Sequence, residues 1–431
     1  MRPVALRCGM GKQRTMATTR NTENLQDHEN ILAADFHFTS SSTEPFTTTA
    51  SSLSSLPSTS RQRRSYCSHF CTLRAPTMPR QTSIRSDKAS AEKPRLPPEA
   101  DNYDRLSRWL RNPSSAISRT SASERHGGGA RHVVHDEAPP GRVLLKEADN
   151  AHAMKELRRV VVKYGIPEIP GRPSLRPRLW KLFLQVDTLN SEEYLDWVSL
   201  GSCDVSSKIK NDTFRTLATD LDFKGKVRED MLIRMLEAFV WKNAGSEREG
   251  LPFTYVQGMN VLAAPFLYVM PSQLEAFACF ATFLETRCPL YVQPTMLGVH
   301  RGLELLDRCF EVVDPVLFDV LKGWNLRAEI WAFSYTLTFC MSIPPLDEAI
   351  KLWDFLLAYG VHLNILCVIA HVNTIREDIV ASSTIPIRLL NKLPPLNARI
   401  VISLALSFLN MLPQSLYDEL VTHPFQLASG P

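Results

Sequence analysis

The chain contains 431 residues, of which 44% are hydrophobic and 22% are charged. This length and this apolar content suffice for one large folded domain, or two medium ones, with a substantial core. The formal net charge is only +4, so the total charge does not require a nucleic acid as a partner. We expect no secretory signal, because the first residues lack an apolar segment, and no transmembrane segment, because no apolar run reaches about 18 residues.

The first 150 residues differ in composition from the rest of the chain. They carry 22 Lys+Arg against 15 Asp+Glu, a balance of +7, whereas residues 151–431 carry 27 against 30, a balance of −3. The first part is also rich in Ser and Thr, and such a composition buries too little apolar surface to offset the chain entropy lost on folding. We therefore predict a disordered, Ser/Thr-rich basic tail over residues 1–150, with one short helix over 101–110, followed by a folded domain over 151–431.

The nine cysteines show no regular spacing. Cys67 and Cys71 form the only close pair, and a zinc site needs a second pair at matching spacing, so no metal site is expected. Six others lie mostly among apolar residues and are predicted to be buried thiols: Cys203, Cys279, Cys288, Cys309, Cys340 and Cys367.

Residues 151–431 show the apolar spacing of amphipathic helices, and prolines and glycines mark the helix ends. We find no alternating strand pattern, no hairpin signal and no internal repeat. The sequence therefore predicts an all-α fold, a single multi-helix domain that follows the long tail. The predicted helices lie at residues 151–164, 175–185, 226–243, 346–359, 363–376, 387–391 and 398–411.

The first informative stretch is Ile209-Lys-Asn-Asp212-Thr-Phe-Arg215-Thr216. If it is helical, Asp212 and Arg215 face each other three positions apart and form a surface ion pair worth about 0.3–0.5 kcal/mol. The alternative is that Asp212 orients Arg215 toward phosphate oxygens, for which a planar guanidinium is better suited than a lysine. An arginine supplied in trans neutralises charge on a transferring phosphoryl group. The local sequence alone favours the ion pair and leaves both interpretations open.

The second stretch is Tyr255-Val-Gln257-Gly258-Met-Asn260, which precedes an apolar helix and is predicted to lie at its entrance, where backbone amides are unpaired. In a capping role, Gln257 and Asn260 would bind loop amides while Tyr255 packs. In a functional role, Gln257 would position an attacking water, and Gly258 would let the backbone approach a ligand closely. The residues alone leave both roles open.

Other nucleotide and enzyme motifs are absent from the sequence, including the phosphate-binding glycine loop, Gly-x-Gly-x-x-Gly and Gly-x-Ser-x-Gly. The two stretches together resemble the arginine-finger and glutamine-finger motifs of the TBC (Tre-2/Bub/Cdc-type) domain of GTPase-activating proteins. The resemblance covers about residues 165–425. Two further segments resemble family motifs and fall in the family's order: the opening motif with Arg176 and Trp180, and a later segment with Trp353 and Asp354.

The resemblance implies a role for each matched residue. Arg215 would stabilise charge on the GTP of a Rab/Ras-like small GTPase, and Gln257 would position the attacking water. Asp212 and Asn260 would orient these groups, and Gly258 would let the loop approach. Ile209 and Tyr255 would support the motifs, whereas Arg176, Trp180, Trp353 and Asp354 would hold the fold. The chain would need no metal or cofactor of its own, because GTP and Mg²⁺ would belong to the partner.

Within the family, the arginine-finger stretch is most similar to fungal GTPase-activating proteins of mitotic exit and septation. That similarity implies a second subunit of the activating complex, no nucleic acid, and a cytoplasmic location at the spindle pole body and cytoskeleton. Two alternatives share the fold: an activator of Rab proteins in vesicle traffic, and a catalytically silent scaffold that only binds a small GTPase.

Overall fold

The computed structural model describes residues 98–111, 142–244, 247–248 and 251–427. Nearly all of these residues lie in helices or in the turns between them, which confirms the predicted all-α class. None of the described helices is long and apolar enough to cross a membrane. In chain order the α-helices are α1 (Pro98–Arg111), α2 (Arg142–Tyr164), α3 (Arg176–Leu184), α4 (Ser191–Ser199), α5 (Ser206–Thr213), α6 (Leu221–Lys226), α7 (Glu229–Asn243), α8 (Met259–Val269), α9 (Gln273–Thr286), α10 (Leu297–Val313), α11 (Pro315–Gly323), α12 (Ala328–Trp331), α13 (Phe333–Leu337), α14 (Leu346–Tyr359), α15 (Asn364–Asn373), α16 (Arg376–Val380), α17 (Ile387–Asn391), α18 (Ala398–Leu409) and α19 (Gln414–Thr422), with 3-10 turns at Pro289–Tyr291 and Val361–Leu363.

A short antiparallel ribbon between α7 and α8 is the exception to the helical pattern. Strand β1 (Glu247–Arg248) pairs with strand β2 (Leu251–Pro252), so that Glu247 lies opposite Pro252. The sequence analysis found no hairpin signal here. Strands of two residues are too short to show the alternation by which a strand is identified.

Local capping signals explain where several helices begin and end. The side chain of Ser272 accepts a hydrogen bond from the backbone N–H three residues on at 3.2 Å, and Asp314 does the same at 3.0 Å. Both arrangements satisfy one of the unpaired donors of a first helical turn. Helix α14 follows Pro345 and ends before Gly360, whose φ of +134° favours glycine. The predicted bounds 346–359 are therefore confirmed.

The predicted helix over 226–243 begins later than expected. Lys226 is the last residue of the separate helix α6, and Val227 is extended, with φ −116° and ψ 110°. Helix α7 starts only at Glu229. Val227 is buried like most apolar residues of α7. Its position continues their helical spacing in the sequence, so the sequence does not indicate the break between the two helices.

Of the other predicted helices, the one over 387–391 is observed with its predicted bounds, and the rest differ at one or both ends. The segment 151–164 is the C-terminal part of α2, which begins at Arg142 and ends at Tyr164 as predicted. The segment 175–185 forms α3, and the segment 387–391 forms α17. The segment 398–411 forms α18, which ends at Leu409. The segment 363–376 is divided between the end of a 3-10 turn, α15 and the start of α16.

Aromatic side chains from four helices form the centre of the core. Trp180 on α3 lies 5.8 Å from Phe266 on α8 and 6.2 Å from Trp353 on α14, measured between ring centroids. Phe283 on α9 stacks against Trp353 at 5.2 Å. All four rings are almost completely buried. Rings of this size supply much of the hydrophobic stabilisation of a core and also fix the helices relative to one another.

The folded part begins earlier than the sequence analysis placed it. The boundary between residues 150 and 151 falls inside α2, and the short helix predicted over 101–110 is observed as α1, with slightly wider bounds. Tyr103 and Leu106 on α1 are buried, and the Tyr103 hydroxyl donates a hydrogen bond to the carbonyl of Pro173 at 2.8 Å. A few apolar residues on one face suffice to join α1 to the core, although the surrounding composition is polar.

The remaining tail predictions, including the Cys67 and Cys71 pair, lie outside the described residues. The other thiol prediction is confirmed: Cys203, Cys279, Cys288, Cys309, Cys340 and Cys367 are all buried free thiols.

Candidate functional site

The first segment of the site is the end of α5 and the turn that follows it, residues 214–220, which we call the finger turn. Ile209 on α5 is fully buried and packs the helix into the core, where it contacts α7. The helix ends at Thr213, so Arg215 lies beyond it. The expectation that Asp212 and Arg215 share a helix is therefore wrong. The chain instead turns through Leu217, whose φ of +45° is incompatible with a continued α-helix.

Arg215 is exposed on this turn but is not free to point in any direction. Its side chain is 55% exposed, whereas that of Asp212 is 9% exposed. The Arg215 guanidinium donates a short hydrogen bond to Oδ1 of Asp212. The ion pair that the sequence suggested is thus present, and it holds an arginine whose remaining donors face solvent.

The second segment, residues 253–258, connects β2 to α8, and we call it the glutamine loop. Tyr255 is buried, whereas Gln257 is exposed and makes no hydrogen bond to any described residue. Asn260, in the first turn of α8, is buried, and its Oδ1 accepts a hydrogen bond from the Gly258 N–H at 3.2 Å. The capping role is therefore confirmed for Asn260. Gln257 has no such role within the part of the chain that the structure describes, and its side chain is exposed.

A set of buried hydrogen bonds joins the two segments. Tyr255 donates its hydroxyl proton to Oδ2 of Asp212 at 2.7 Å. The Asn260 amide donates to Oγ1 of Thr216 at 2.8 Å and to the carbonyl of Asp212 at 3.3 Å. Thr216 in turn donates to that same carbonyl at 3.0 Å. The position of Arg215 is consequently fixed relative to the loop that carries Gln257.

The electrostatics of Tyr255 keep this connection intact. Burial raises the pKa of the Tyr255 hydroxyl well above its ordinary value, and the neighbouring carboxylate of Asp212 raises it further. Both effects disfavour the phenolate, because it would be a second buried negative charge beside Asp212. The tyrosine therefore remains a proton donor across the physiological pH range.

Gly258 makes a close contact inside the protein. Its φ is +102°, and a Cβ atom built on it would lie 2.7 Å from Cδ2 of Leu337. Gly258 thus approaches a side chain of α13 closely, and it also lines the cleft described below, so its predicted approach to a ligand stays a prediction. Only glycine combines this backbone conformation with the available space.

Arg215 and Gln257 line the same cleft, which has a volume of about 550 Å³. One side of the cleft is the finger turn and the other is the start of α8. Helix α13 and the residue that precedes α10 complete it. The lining also includes Asp212, Thr216, Leu217, Gly258, Asn260, Val261, Met296, Phe333, Ser334, Leu337, Thr338 and Ser342.

Two kinds of site residue escaped the sequence analysis. Thr216 was part of the quoted stretch, but its role depends on Asn260, which is 44 residues away. Met296, Phe333 and Leu337 come from elements far along the chain, and nothing in their local sequence marks them. The spacing of three residues between Asp212 and Arg215 can be recognised in the local sequence, whereas these contacts depend on how the helices pack.

The four residues assigned a structural role lie together in the core, away from the cleft. The Arg176 Nε donates to both carboxylate oxygens of Asp354, at 3.1 and 2.9 Å, and Trp180 Nε1 donates to Oδ1 at 2.7 Å. Trp353 packs beside Trp180. Burial raises the pKa of the Asp354 carboxyl to about 6, even though the Arg176 guanidinium lowers it. This arrangement ties α3 to α14.

Comparison with known proteins identifies the family. The Rab-GTPase-TBC domain matches residues 173–380, a range that contains both finger segments and all four structural residues. Cell division control protein 16 of Schizosaccharomyces pombe is 42% identical over 260 residues, which cover 60% of this chain and 84% of that protein. Mitotic check point protein BUB2 of Saccharomyces cerevisiae is 36% identical over 282 residues, covering 63% of this chain and 92% of that protein.

Two more comparisons agree with this result. A putative mitotic check point protein BUB2 of Dictyostelium discoideum is 36% identical over 281 residues and is covered to 74%. Among solved structures, the Ypt/Rab-GAP domain of Gyp1p superposes with a TM-score of 0.50 at 19% identity, covering 61% of this chain and 93% of that domain, which shows a shared fold. The chain therefore belongs to the Rab-GTPase-TBC domain family, as the resemblance of its motifs implied.

Proposed function

We propose that this protein is a GTPase-activating protein that supplies Arg215 and Gln257 in trans to a Rab/Ras-like small GTPase. One observation carries the proposal. The two side chains line a single cleft, and both are exposed, yet they project from loops joined by buried hydrogen bonds. Exposed functional groups on a rigid support are what catalysis of a partner's reaction requires.

The chemistry follows from the charges that develop on GTP. As the γ-phosphoryl group transfers to water, negative charge grows on its oxygens and on the leaving group. The Arg215 guanidinium neutralises this charge, and Asp212 holds one side of the guanidinium so that less rotamer freedom is lost. The Gln257 amide both accepts a hydrogen bond from the attacking water and donates one to a phosphate oxygen. The nucleotide and Mg²⁺ are the partner's, and this chain adds no cofactor.

The proposed cellular setting comes from the relatives. Proteins whose names place them in cell division control and mitotic check points are 36–42% identical to this chain over most of their own length. We propose that the GTPase reaction controls mitotic exit and septation, that the protein acts at the spindle pole body, and that a second subunit takes part in the activating complex. Imaging of the tagged protein in dividing cells tests the location, and a vesicular pattern without signal at the poles would contradict it.

The chemical proposal is tested by single-turnover GTP hydrolysis with a panel of purified, GTP-loaded Rab- and Ras-like GTPases. Arg215→Ala is expected to reduce the accelerated rate by on the order of 10³–10⁵, because that is the contribution of a trans-acting arginine. Arg215→Lys does not restore it, since an ammonium lacks the planar fork. Gln257→Ala is also expected to lose most of the acceleration.

Arg228→Ala is the matched control for these variants. Arg228 is likewise an exposed arginine paired with a nearby aspartate, Asp230, but it lies at the start of α7 and does not line the cleft. It should keep the wild-type rate. If Arg215→Ala accelerates hydrolysis as well as the wild-type chain does, the proposed mechanism is wrong.

A further inference from the structure

A large apolar side chain stands exposed beside the arginine. Phe214, the first residue of the finger turn, is 63% exposed, and Leu221, where the turn enters α6, is 83% exposed. Scattered exposed apolar residues are ordinary on protein surfaces and need no explanation. Phe214 differs from them by its position, because it is bonded directly to the residue that must reach the partner's nucleotide.

The position of Phe214 is fixed relative to that of Arg215. Consecutive Cα atoms are about 3.8 Å apart, and the finger turn leaves the end of a helix that is packed against the core. The turn cannot move separately, because Asp212 accepts hydrogen bonds from Arg215 and Thr216, and Thr216 accepts one from Asn260. Phe214 does not line the cleft itself, but a specific interface buries about 800 Å² on each partner, so a GTPase that brings its phosphates to Arg215 also covers the neighbouring Phe214.

The chemistry of Phe214 defines the surface it fits. The ring has no polar atom, and burying it against water-facing polar groups would leave those groups without hydrogen-bond partners. An apolar patch is the suitable counterpart, and aromatic side chains buried near the centre of an interface supply much of its binding energy. In small GTPases the loops beside the γ-phosphate are ordered only while that phosphate is present.

We propose that Phe214, assisted by Leu221, is the apolar anchor that binds the loop beside the γ-phosphate on the GTP-bound GTPase. This inference rests on the proposed function, since it takes Arg215 as the residue that reaches the nucleotide. The anchor contributes affinity for the GTP-bound form, whereas Arg215 contributes to the chemical step. The two neighbouring residues thus divide binding and catalysis between them.

The test compares KM and kcat of full-length variants with the GTPase that the wild-type chain accelerates most. Phe214→Ala is expected to raise KM at least about fivefold with kcat nearly unchanged, because the lost contact stabilises the bound GTPase equally in the ground state and in the transition state. Phe214→Leu, which keeps an apolar side chain, is expected to recover most of the affinity, and Leu221→Ala to show a smaller rise. Arg215→Ala is expected to lower kcat. Leu195→Ala is the control, because Leu195 is as exposed as Phe214, at 62%, but lies on α4 and not on the finger turn.

Binding of the variants to the GTPase can also be measured directly. Phe214→Ala should weaken binding to the GTPase loaded with a non-hydrolysable GTP analogue more than binding to its GDP form. An unchanged KM in Phe214→Ala, a loss of kcat alone, or an equal effect of Leu195→Ala would overturn the anchor. So would a change in the oligomeric state of Phe214→Ala without a change in KM, since a second copy would then occupy this surface.

These results are separable from the proposed function. If Arg215→Ala abolishes acceleration while Phe214→Ala behaves as wild type, the anchor fails and the finger mechanism stands. If Arg215→Ala remains fully active, the finger mechanism fails, and the binding measurement still decides whether Phe214 contacts the GTPase. Thermal melting of each variant confirms that the substitutions of these exposed side chains leave the fold intact.

Discussion

The Tyr255 hydroxyl donates a hydrogen bond to Oδ2 of Asp212 at 2.7 Å, and the other oxygen of that carboxylate accepts from Arg215. Tyr255 belongs to the glutamine loop and Asp212 to the end of α5, 43 residues earlier in the chain. One carboxylate thus connects a buried phenol to an exposed guanidinium. The position of the exposed arginine therefore depends on a side chain that is itself buried.

Tyr255→Phe should lower kcat by roughly ten- to a hundredfold with little change in KM. The variant keeps the buried ring but removes the hydroxyl that orients Asp212, and small displacements of a catalytic group carry a large rate cost. Loss of a hydrogen bond to a charged group should also lower the free energy of unfolding by about 1.5–3 kcal/mol. Single-turnover kinetics and urea unfolding measure the two effects.

The control for this variant is Tyr335→Phe. Tyr335 is also buried, and its hydroxyl donates to the carbonyl of Leu390 at 2.9 Å, with no connection to Arg215. Its loss should destabilise the fold and leave kcat unchanged. Equal kcat values in the two variants would contradict a positioning role for Tyr255.

Gly258→Ala should destabilise the protein and reduce kcat. The new Cβ would lie 2.7 Å from Cδ2 of Leu337 at a φ of +102°, so strain adds to a steric clash. We expect the free energy of unfolding to fall by about 2–5 kcal/mol, the sum of the costs of a left-handed residue and of an overpacked contact. Displacement of the adjacent Gln257 should lower kcat in the same variant.

Gly171→Ala separates the two contributions. Gly171 has a φ of +79°, but nothing lies within 4 Å of the Cβ that would be added. This variant should therefore show only the backbone cost of about 1–2 kcal/mol, and its kcat should equal that of the wild type. If the two alanine variants unfold at the same urea concentration, the contact with Leu337 has no energetic effect.

The features that could be predicted from the sequence are those with local causes. The helix over 346–359 was predicted with its observed bounds because Pro345 and Gly360 impose backbone angles on their own positions. The exposed arginine and glutamine could be singled out because their motifs are contiguous. The break at Val227 could not, since its buried side chain continues the apolar spacing of α7.

The features that could not be predicted join distant parts of the chain. The hydrogen bond between Asn260 and Thr216 spans 44 residues, and the contact of Gly258 with Leu337 depends on the packing of α13. Hydrophobic periodicity indicates which face of a helix is buried but not which helix covers it. The contact between Gly258 and Leu337 could not be foreseen for this reason, and the approach of a ligand to Gly258 stays a prediction.

The buried pair of Arg176 and Asp354 gives a third prediction. Their side chains are 10% and 3% exposed. Arg176→Met should lower the free energy of unfolding by about 3–5 kcal/mol, because it leaves the Asp354 carboxylate without its partner in the core. In the double variant Arg176→Met/Asp354→Asn, the loss in free energy of unfolding should be smaller than the sum of the losses in the two single variants, since the double variant buries no unpaired charge.

Urea unfolding of the two single variants and the double variant measures this coupling. Purely additive losses would show that the two groups stabilise the fold independently. The comparison is specific to the core, because Glu168, which also pairs with Arg176, is 46% exposed and can be solvated when the arginine is absent.

His423 supplies a test of the C-terminal packing through pH. It is fully buried, with Nδ1 2.5 Å from the carbonyl of Leu420 and Nε2 2.8 Å from the Tyr291 hydroxyl. Since a carbonyl only accepts, Nδ1 carries the proton, and Nε2 accepts the hydrogen bond from Tyr291. Burial lowers the pKa of His423 from its ordinary value near 6.5 to about 4.

The depressed pKa means that His423 stabilises the fold only while the imidazole is neutral. Between pH 6.5 and 4 the unfolded chain binds a proton here that the folded chain does not, so the free energy of unfolding falls as the pH is lowered. The slope from this one group approaches about 1.4 kcal/mol per pH unit. We expect His423→Gln to be less stable than the wild type at pH 7. Between pH 6.5 and 5, however, its free energy of unfolding should fall by about 2 kcal/mol less than that of the wild type. Urea unfolding at several pH values measures the difference. Parallel curves for the wild type and His423→Gln would show that the histidine is already charged in the fold, against the hydrogen-bond pattern that Tyr291 and Leu420 impose.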